Sequence, residues 1–497
     1  SYPISDHEGK TLRPSIIVSR LKKIFPNISM TSYVLKDLDN STQKALDNIT
    51  VKAPTFNELI NAIKEFEIRD NINPVYLDLY KYFLSDEEYK GKLEKVVSGL
   101  SYTNQVEKVD KEKIQQLYEN KNLSVSKLEK YAGCPFSYFI QYGLKVQERK
   151  EYSFTAPDLG SFVHNILDIF SKSLNKDKLN WHEINEDYIR VKVSIIVDEM
   201  VSKIPGFILN SSERYKYLAY RLKKMLISAI NIISMQIKQG NFEPVDYEVS
   251  FRKNGKYPPI KLTLNNGEEI TLVGQIDRID ELEKDDSKYI RIVDYKSGDK
   301  SINLTEVYYG LQLQLLVYLD AIIESDKYKK STLKPAAILY NRIDNPIVKS
   351  NEDQKDSIIN EEILKKLRMN GLVLKDKDII GEMDLSLKEG DRKTSLVIPA
   401  NFDKNGNIGR YTKGVTDEEF DILREYVKYE VKELCERMVG GDISIIPCKN
   451  KNGTSCDFCS YASICQFDVS IKGNTYTVLN DKSDEEVIKL MEKEVKK

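Results

Sequence analysis

At 497 residues the chain is long enough for two or three domains with sizeable cores. Apolar residues make up 41% and charged ones 31%, with no run near the length of a membrane span, which reads as a globular, cytoplasmic protein with no membrane role. A formal net charge of −2 excludes a general basic field, so any nucleic-acid surface has to be local.

Residues 1–115 show helical patterns over 15–25, 55–66 and 75–97, and no motif that carries chemistry. The polar stretch 103–121 reads as a boundary before a second unit, 116–475, with a tail over 476–497. That unit opens with Ser126 and, three residues on, Glu129, the pattern of a capping box starting a short helix towards Cys134-Pro135. Residues 155–170 predict an amphipathic helix with Leu159, Phe162, Val163, Ile166, Leu167 and Phe170 on its apolar stripe. His164 lies off the centre of that stripe, one turn after Gly160, and is either a structural hydrogen-bonder or a ligand. The other two histidines, His7 and His182, have no chemical company. Residues 185–240 read as helical. Within them Arg214, Lys216, Arg221, Lys223 and Lys224 stand among tyrosines and leucines, as a local nucleic-acid surface or as a solvated helix face.

Strands follow over 245–251 and 260–264, and Asn265-Asn266-Gly267 is a hairpin turn. The next two strands, 269–279 and 289–296, flank a polar turn over 283–288. Pairing centred on Asp285/Asp286 sets Asp277 opposite Asp294, with Lys296 on the same face and Asp280 on the other. Opposed carboxylates destabilise a hairpin unless something neutralises them. Mg²⁺, which takes one or two carboxylates plus water and phosphate oxygens, suits that need. Lys296 would then offset charge that develops in a transition state. The plainer reading is a solvated face with an ordinary Asp–Lys pair.

A helix over 304–325 carries Leu311, Gln314, Leu315, Tyr318 and Ile322 down one side. A strand over 336–340 completes a βαβ crossover, which makes the fold α/β. Residues 342–412 read as an insertion, and 416–438 as a helix ended by Gly440-Gly441. Of six cysteines, Cys456, Cys459 and Cys465 have C-x2-C-x5-C spacing, which points to a zinc or iron–sulfur centre. Its fourth ligand is Cys448, nearer in sequence, or Cys134; Cys435 reads as a buried helical thiol.

The ordered set Gly160-x3-His164, Gly274-x2-Asp277, Asp294-x-Lys296 and Gln314-x3-Tyr318 resembles the RecB-type nuclease branch of the PD-(D/E)xK fold. Cys134-Pro135-Phe136 and the cysteine tail resemble its iron–sulfur variant, as carried by nuclease subunits of AddAB-type helicase–nucleases. The resemblance spans roughly 120–470 and implies a restriction-endonuclease-like α/β core with helical flanks. It implies that His164, Asp277 and Asp294 hold Mg²⁺ or Mn²⁺, with the Tyr295 carbonyl as a further ligand. Lys296 would position or activate the attacking water, and Gln314 and Tyr318 would orient that lysine and the DNA strand. Cys134, Cys456, Cys459 and Cys465 would bind a [4Fe–4S] cluster as a structural staple. The implied reaction is cleavage of single-stranded DNA, on the 5′-terminated strand, in break repair by homologous recombination. The implied partner is an AddA-type subunit in a heterodimer, with residues 1–115 the end of a helicase-like half. No G-x4-GK[ST] occurs, so this stretch is expected neither to hydrolyse ATP nor to unwind DNA, and it reads as a piece of a longer protein. Two other readings share these features: a stand-alone CRISPR-associated-type exonuclease, and a non-catalytic DNA-binding scaffold.

Overall fold

A computed structural model describes residues 11–28, 42–69, 71–100, 102–105, 108–118, 122–147, 149, 155–203, 212–325, 332–346, 348, 356–390, 392–471 and 473–496. His7 lies outside them. The chain divides into two compact units, Ser1–Tyr102 and Thr103–Lys497.

In the first unit the described helices are α1 (Ile16–Ile24), α2 (Thr42–Asp47), α3 (Lys52–Arg69), α4 (Pro74–Ser85) and α5 (Lys90–Leu100). Phe56, Leu59, Phe83, Tyr89 and Leu93 form a small core. The continuous helix expected over 75–97 is two helices. Asp86 ends α4 in an extended conformation, and its carboxylate takes the N–H groups of Glu88 and Tyr89. That satisfies donors at the start of α5, which begins at Lys90.

The second unit begins earlier than the boundary drawn near 115. Helix α6 (Lys111–Leu117) packs on elements of this unit, and so does the tail over 476–497. The unit is built on a mixed sheet in the order β1-β4-β5-β6-β7-β8, with β2 and β3 also paired to β4. Its strands are β1 (Asn122–Ser124), β2 (Glu243–Phe251), β3 (Ile260–Thr263), β4 (Glu269–Lys284), β5 (Ser287–Lys296), β6 (Thr332–Arg342), β7 (Asn370–Leu374) and β8 (Gly414–Val415). The long β4 changes neighbours halfway. Thr271–Val273 pair with β1 and Glu269–Leu272 with β3, whereas from Gly274 onward β2 takes one edge, and from Arg278 onward β5 takes the other. The seam between these regimes falls at residues 274–277.

Helices cover both faces. After α7 (Val125–Gly133) and α8 (Pro135–Tyr138) come α9 (Ala156–Asp177), α10 (Glu186–Lys203) and α11 (Glu213–Lys238). These last three lie on one face, tied to the strands through Trp181–Tyr247 and Gln236–Asn341 hydrogen bonds. Against the other face stand α7 and, after the short α12 (Leu304–Tyr308), α13 (Gln314–Ile323). β5 and β6 are parallel and joined through α12 and α13, the crossover read from the sequence. The region read as an insertion is partly sheet: β7 pairs antiparallel with β6, and β8 parallel with β7. Helices α14 (Asp356–Lys366), α15 (Lys377–Met383) and α16 (Leu385–Lys388) lie in the same stretch, and α17 (Asp417–Val439) packs on α13. Among the described residues no helix is long and apolar enough to cross a membrane.

Candidate active site

The β4–β5 hairpin turns at Asp285 and Asp286, both left-handed (φ 52° and 57°), with Lys284 paired to Ser287. Two left-handed central residues match the right-handed twist of the strands. From this turn the ladder runs back to Arg278↔Val293. One step further the strands part, and the Tyr295 N–H donates to Asp277 Oδ2 at 2.7 Å. On the other edge of β4, Tyr247 pairs with Arg278 and Val249 with Ile276, so Glu248 stands across from Asp277. Glu248, Asp277 and Asp294 therefore form one row across β2, β4 and β5, on one face. Glu248 is a residue that the sequence reading missed. Its strand is legible, but β3 and its turn lie between β2 and β4, so the register between them is not. Its left-handed backbone (φ 44°) costs a non-glycine residue about 1–2 kcal/mol, a strain that functional sites tend to carry.

His164, on α9, brings Nδ1 to 2.9 Å from Glu248 Oε1 and 3.5 Å from Asp277 Oδ1. At the far end of the row Lys296 Nζ is 2.7 Å from Asp294 Oδ2. Gln314 Nε2 donates to Asp294 Oδ1 at 3.1 Å and to the Tyr318 hydroxyl at 2.8 Å. The Tyr318 ring meets Phe251 edge-on at 5.6 Å. Gly274 lies against both rings: a Cβ there would come within 2.5 Å of Phe251 and 3.1 Å of Tyr318. A Cβ on Gly160 would meet nothing within 4 Å, so packing does not demand that glycine.

Gln314 reaches the row because of a break in the helix expected over 304–325. That helix stops at Tyr308. Gly310, left-handed at φ 75°, turns the chain, and α13 starts afresh at Gln314. Its first N–H groups are met from outside the helix: Glu129 Oε1 accepts from Leu313 at 2.8 Å and from Gln314 at 3.0 Å. Glu129 is therefore not the partner of Ser126 in a capping box. Its own helix starts at Val125 behind Ser124, without a side-chain cap.

The row is rich in negative charge. Asp277 and Asp294 are 7% and 1% exposed. Burial, then the Asp294 charge, pushes Asp277 up to about 6, while the His164 hydrogen bond pulls the other way. Burial disfavours the His164 cation, but Asp277 and Glu248 overcome it and raise that imidazole to about 10. Asp294 Oδ2 is buried and has no hydrogen-bond partner among the described residues; its contact with Lys296 is an ion pair without hydrogen-bond geometry. His164, Glu248 and Asp277 offer ligand atoms within 4.8 Å of one another. Hard carboxylate oxygens and one imidazole fit a divalent cation.

Behind this row, on the opposite face, sits a second charged group. Asp280 accepts from Arg278 Nη2 at 3.1 Å and from Arg291 Nε at 2.8 Å, and Arg278 Nη1 donates to the Tyr295 hydroxyl at 3.2 Å. Arg278, Asp280 and Arg291 are all buried.

Cys134 lies at the junction of α7 and α8. Burial pushes its thiol up to about 11, and charge on Cys456 and Cys459 pushes the same way. Cys456 is raised by burial and then by Cys459 and Cys465. Cys448 is also raised to about 11, by burial and then Cys134, but its thiol donates to the Ala132 carbonyl at 3.4 Å. Among the described residues no three thiols converge as tightly as a single ion would need. Cys435 is a buried thiol on α17, as expected. The basic segment that starts at Arg214 lies on α11, where Lys216 is paired with Glu213 and Lys223 with Asp198.

The sequence profile of the PD-(D/E)XK nuclease superfamily matches residues 122–466. The profile of the fifth domain of the ATP-dependent helicase/deoxyribonuclease AddB matches residues 41–99. The chain is 62% identical over its whole length to the B subunit of the ATP-dependent helicase/deoxyribonuclease of Clostridioides difficile (strain 630), of which it covers 43%. It is 51% identical to the protein of the same name from Caldanaerobacter subterraneus subsp. tengcongensis, again over its whole length and 42% of the relative. A third, from Thermoanaerobacter sp. (strain X514), is 48% identical over the whole chain and 43% of the relative. The chain thus spans less than half the length of these relatives.

Proposed function

Since the chain belongs to the PD-(D/E)XK nuclease superfamily, we propose that it is the metal-dependent deoxyribonuclease part of a helicase–nuclease, cleaving single-stranded DNA. The observation that carries this reading is the row Glu248–Asp277–Asp294, with His164 at one end and Lys296 at the other. His164, Asp277 and Asp294 would hold Mg²⁺ or Mn²⁺, with Glu248 beside them and the Tyr295 carbonyl as a further ligand. Bound there, the cation would supply positive charge to polarise a phosphate oxygen and lower the pKa of a water. Lys296 would hold that water by hydrogen bond and offset the charge that develops on the phosphate oxygens. Gln314 holds Asp294 Oδ1 and leaves Oδ2 to the site; with Tyr318 it would orient Lys296 and the DNA strand. Water attacks phosphorus, the bond to one ester oxygen breaks, and that oxygen takes up a proton.

Cys134, Cys456, Cys459 and Cys465 would bind a [4Fe–4S] cluster. A cubane places each thiolate on a different iron, so its ligands stand wider apart than those of one ion. Cys134 feels the charge of Cys456 and Cys459, whereas Cys448 feels that of Cys134 and donates its thiol to Ala132, which supports that set over one with Cys448. The cluster would tie the start of the nuclease unit to its end. Iron content of anaerobically purified protein tests this: Cys134→Ser should lose iron and Cys448→Ser keep it, and the reverse pattern transfers the fourth ligand to Cys448.

The relatives carry the name of one component of a larger enzyme, which supports assembly with a second, AddA-type component. The same reading includes a cytoplasmic role in double-strand break repair and cleavage of the 5′-terminated strand, with ATP hydrolysis in parts outside this stretch. The measurement that tests it is Mg²⁺-dependent cleavage of end-labelled single-stranded DNA, comparing the chain with Lys296→Ala. Cleavage by the first and not the second is expected. Equal cleavage by both would remove Lys296 from the chemistry, and no cleavage by either, alone or with the AddA-type partner, favours the scaffold reading.

A further inference from the structure

The start of α11 carries exposed aromatic and basic residues that the nuclease site does not use. Arg214, Tyr217, Tyr220, Arg221 and Lys224 follow the helical repeat along one stripe, opposite the buried Leu222 and Leu226. Tyr217 is 63% and Tyr220 52% exposed. The Lys224 ammonium lies 4.9 Å from the Tyr220 ring centre. Arg214 and Arg221 have no acidic partner among the described residues, unlike Lys216 and Lys223. The one acid at the head of the stripe, Glu213, is paired with Lys216.

Two lines of geometry bring this stripe to the nuclease end of the unit. First, α10 runs back along α9, since Lys192 and Tyr188 meet Asp177, and α11 runs back along α10, since Lys223 meets Asp198. At about 1.5 Å per residue, His164 lies roughly 20 Å back from Asp177, which is also the level of the last turn of α10 and the first turns of α11. Second, Lys296 pairs with Arg342 in the sheet, and just beyond it Asn345 meets Ser228 of α11 at 3.5 Å. The first half of α11 therefore extends past the end of β5 and β6 where Lys296 stands. Away from that end, its outer face runs on into a groove of about 510 Å³ of mixed lining, with Lys224, Ser228 and Asn345 beside Ile189, Ile227 and Leu364.

We propose that this stripe is a single-stranded DNA track, on which Tyr217 and Tyr220 stack bases while Arg214, Arg221 and Lys224 follow the phosphates towards the Asp277–Asp294 site. The inference rests on the nuclease reading for its direction. Exposed aromatic rings interleaved with unpaired cations are the surface that sequence-tolerant single-strand binders use, over sites of several nucleotides. A duplex hides its base faces, so stacking tyrosines select the unpaired strand.

The test is fluorescence anisotropy of a labelled oligo(dT) with the 497-residue chain, in Ca²⁺ without Mg²⁺, across a salt series. Tyr217→Ala/Tyr220→Ala should weaken binding about tenfold or more. Arg221→Gln/Lys224→Gln should flatten the dependence of log K on log salt by about 1.4, two phosphate contacts at about 0.7 each. Circular dichroism melts check that both variants fold. Wild-type affinity and slope in both folded variants would overturn the track. Loss of binding to the AddA-type partner with unchanged affinity for DNA would overturn it too, in favour of a protein interface. Failure of the nuclease reading is separable: a chain that never cleaves, yet loses oligo(dT) binding in these variants, keeps the track and loses the site.

Discussion

The two faces of the β4–β5 hairpin bury carboxylates and resolve their charge in opposite ways. On one face Asp280 is enclosed by Arg278 and Arg291, so the protein supplies its own counter-charge in fixed geometry. On the other, Glu248, Asp277 and Asp294 share one imidazole and one ammonium, so carboxylates outnumber cations. Both faces bear the cost of desolvation, but only on the first do the protein's own cations outnumber the carboxylates. A closed charge group is structural, whereas an open one calls for a ligand. Asp277 and Asp280 are separated by an odd number of positions on one strand, which is why they serve different faces.

Substitution of one acid on each face should separate these roles. Asp294→Ala should lower Mg²⁺-dependent cleavage by on the order of 10³-fold, with the metal-free melting temperature unchanged or raised, because a like charge beside Asp277 is gone. Unimpaired cleavage would remove Asp294 from the metal site. Asp280→Ala should do the reverse: it strands two buried guanidinium groups, at a cost of about 3–5 kcal/mol in urea unfolding. Replacing all three by Arg278→Met, Asp280→Leu and Arg291→Met should recover most of that loss. A triple variant as unstable as the single one would mean that the arginines hold Tyr295, and through its N–H Asp277, in a way that packing cannot replace.

The open face should also respond to pH. Asp277 and His164 are both raised in the metal-free fold, to about 6 and about 10. A raised group adds stability below its unfolded pKa and loses it as pH rises through the folded value. The metal-free protein should therefore lose stability over about pH 4–6 from Asp277 and over about pH 6.5–10 from His164. Protons compete with a cation for the same atoms. At pH 5, one unit below the Asp277 value, competition at that carboxylate alone should weaken Mg²⁺ binding roughly tenfold, and the imidazole adds to it. The stabilising effect of Mg²⁺ should thus be smaller than at pH 8, by on the order of 1 kcal/mol. Melts with and without Mg²⁺ at the two pH values measure this, and an equal gain at both would detach Asp277 from the cation.

Much of this contrast was legible in the sequence, for a geometric reason. Once Asp285 and Asp286 are the turn, alternation fixes Asp277, Asp294 and Lys296 on one face and Asp280 on the other. Information fails where a contact depends on a register or a helix break that no short-range rule sets. Glu248 joins the row through the β2–β4 register. Gln314 opens a helix only because Gly310 interrupts an otherwise continuous apolar pattern. Arg278 and Arg291 are among the largest buried side chains, yet a charged residue on a strand reads as solvent-facing until its partners are seen.

Glu129 marks a third way to bury a carboxylate, and gives the smallest effect. Burial raises its pKa, opposed by Lys300, the two backbone N–H groups of Gln314 and Leu313, and Lys296. Its counter-charge is thus partly the positive end of a helix, intermediate between the closed arginine group and the open row. Glu129→Gln keeps an oxygen acceptor for Leu313 and Gln314 and should cost about 0.5 kcal/mol, whereas Glu129→Ala leaves both N–H groups unmet and should cost about 1–2 kcal/mol. Because Gln314 orients Asp294, the alanine variant should also slow cleavage several-fold while the glutamine variant stays near wild type. If both variants slow cleavage equally, the charge of Glu129 beside Lys296 matters more than its cap. It would then belong with the open face rather than with the scaffold that positions it.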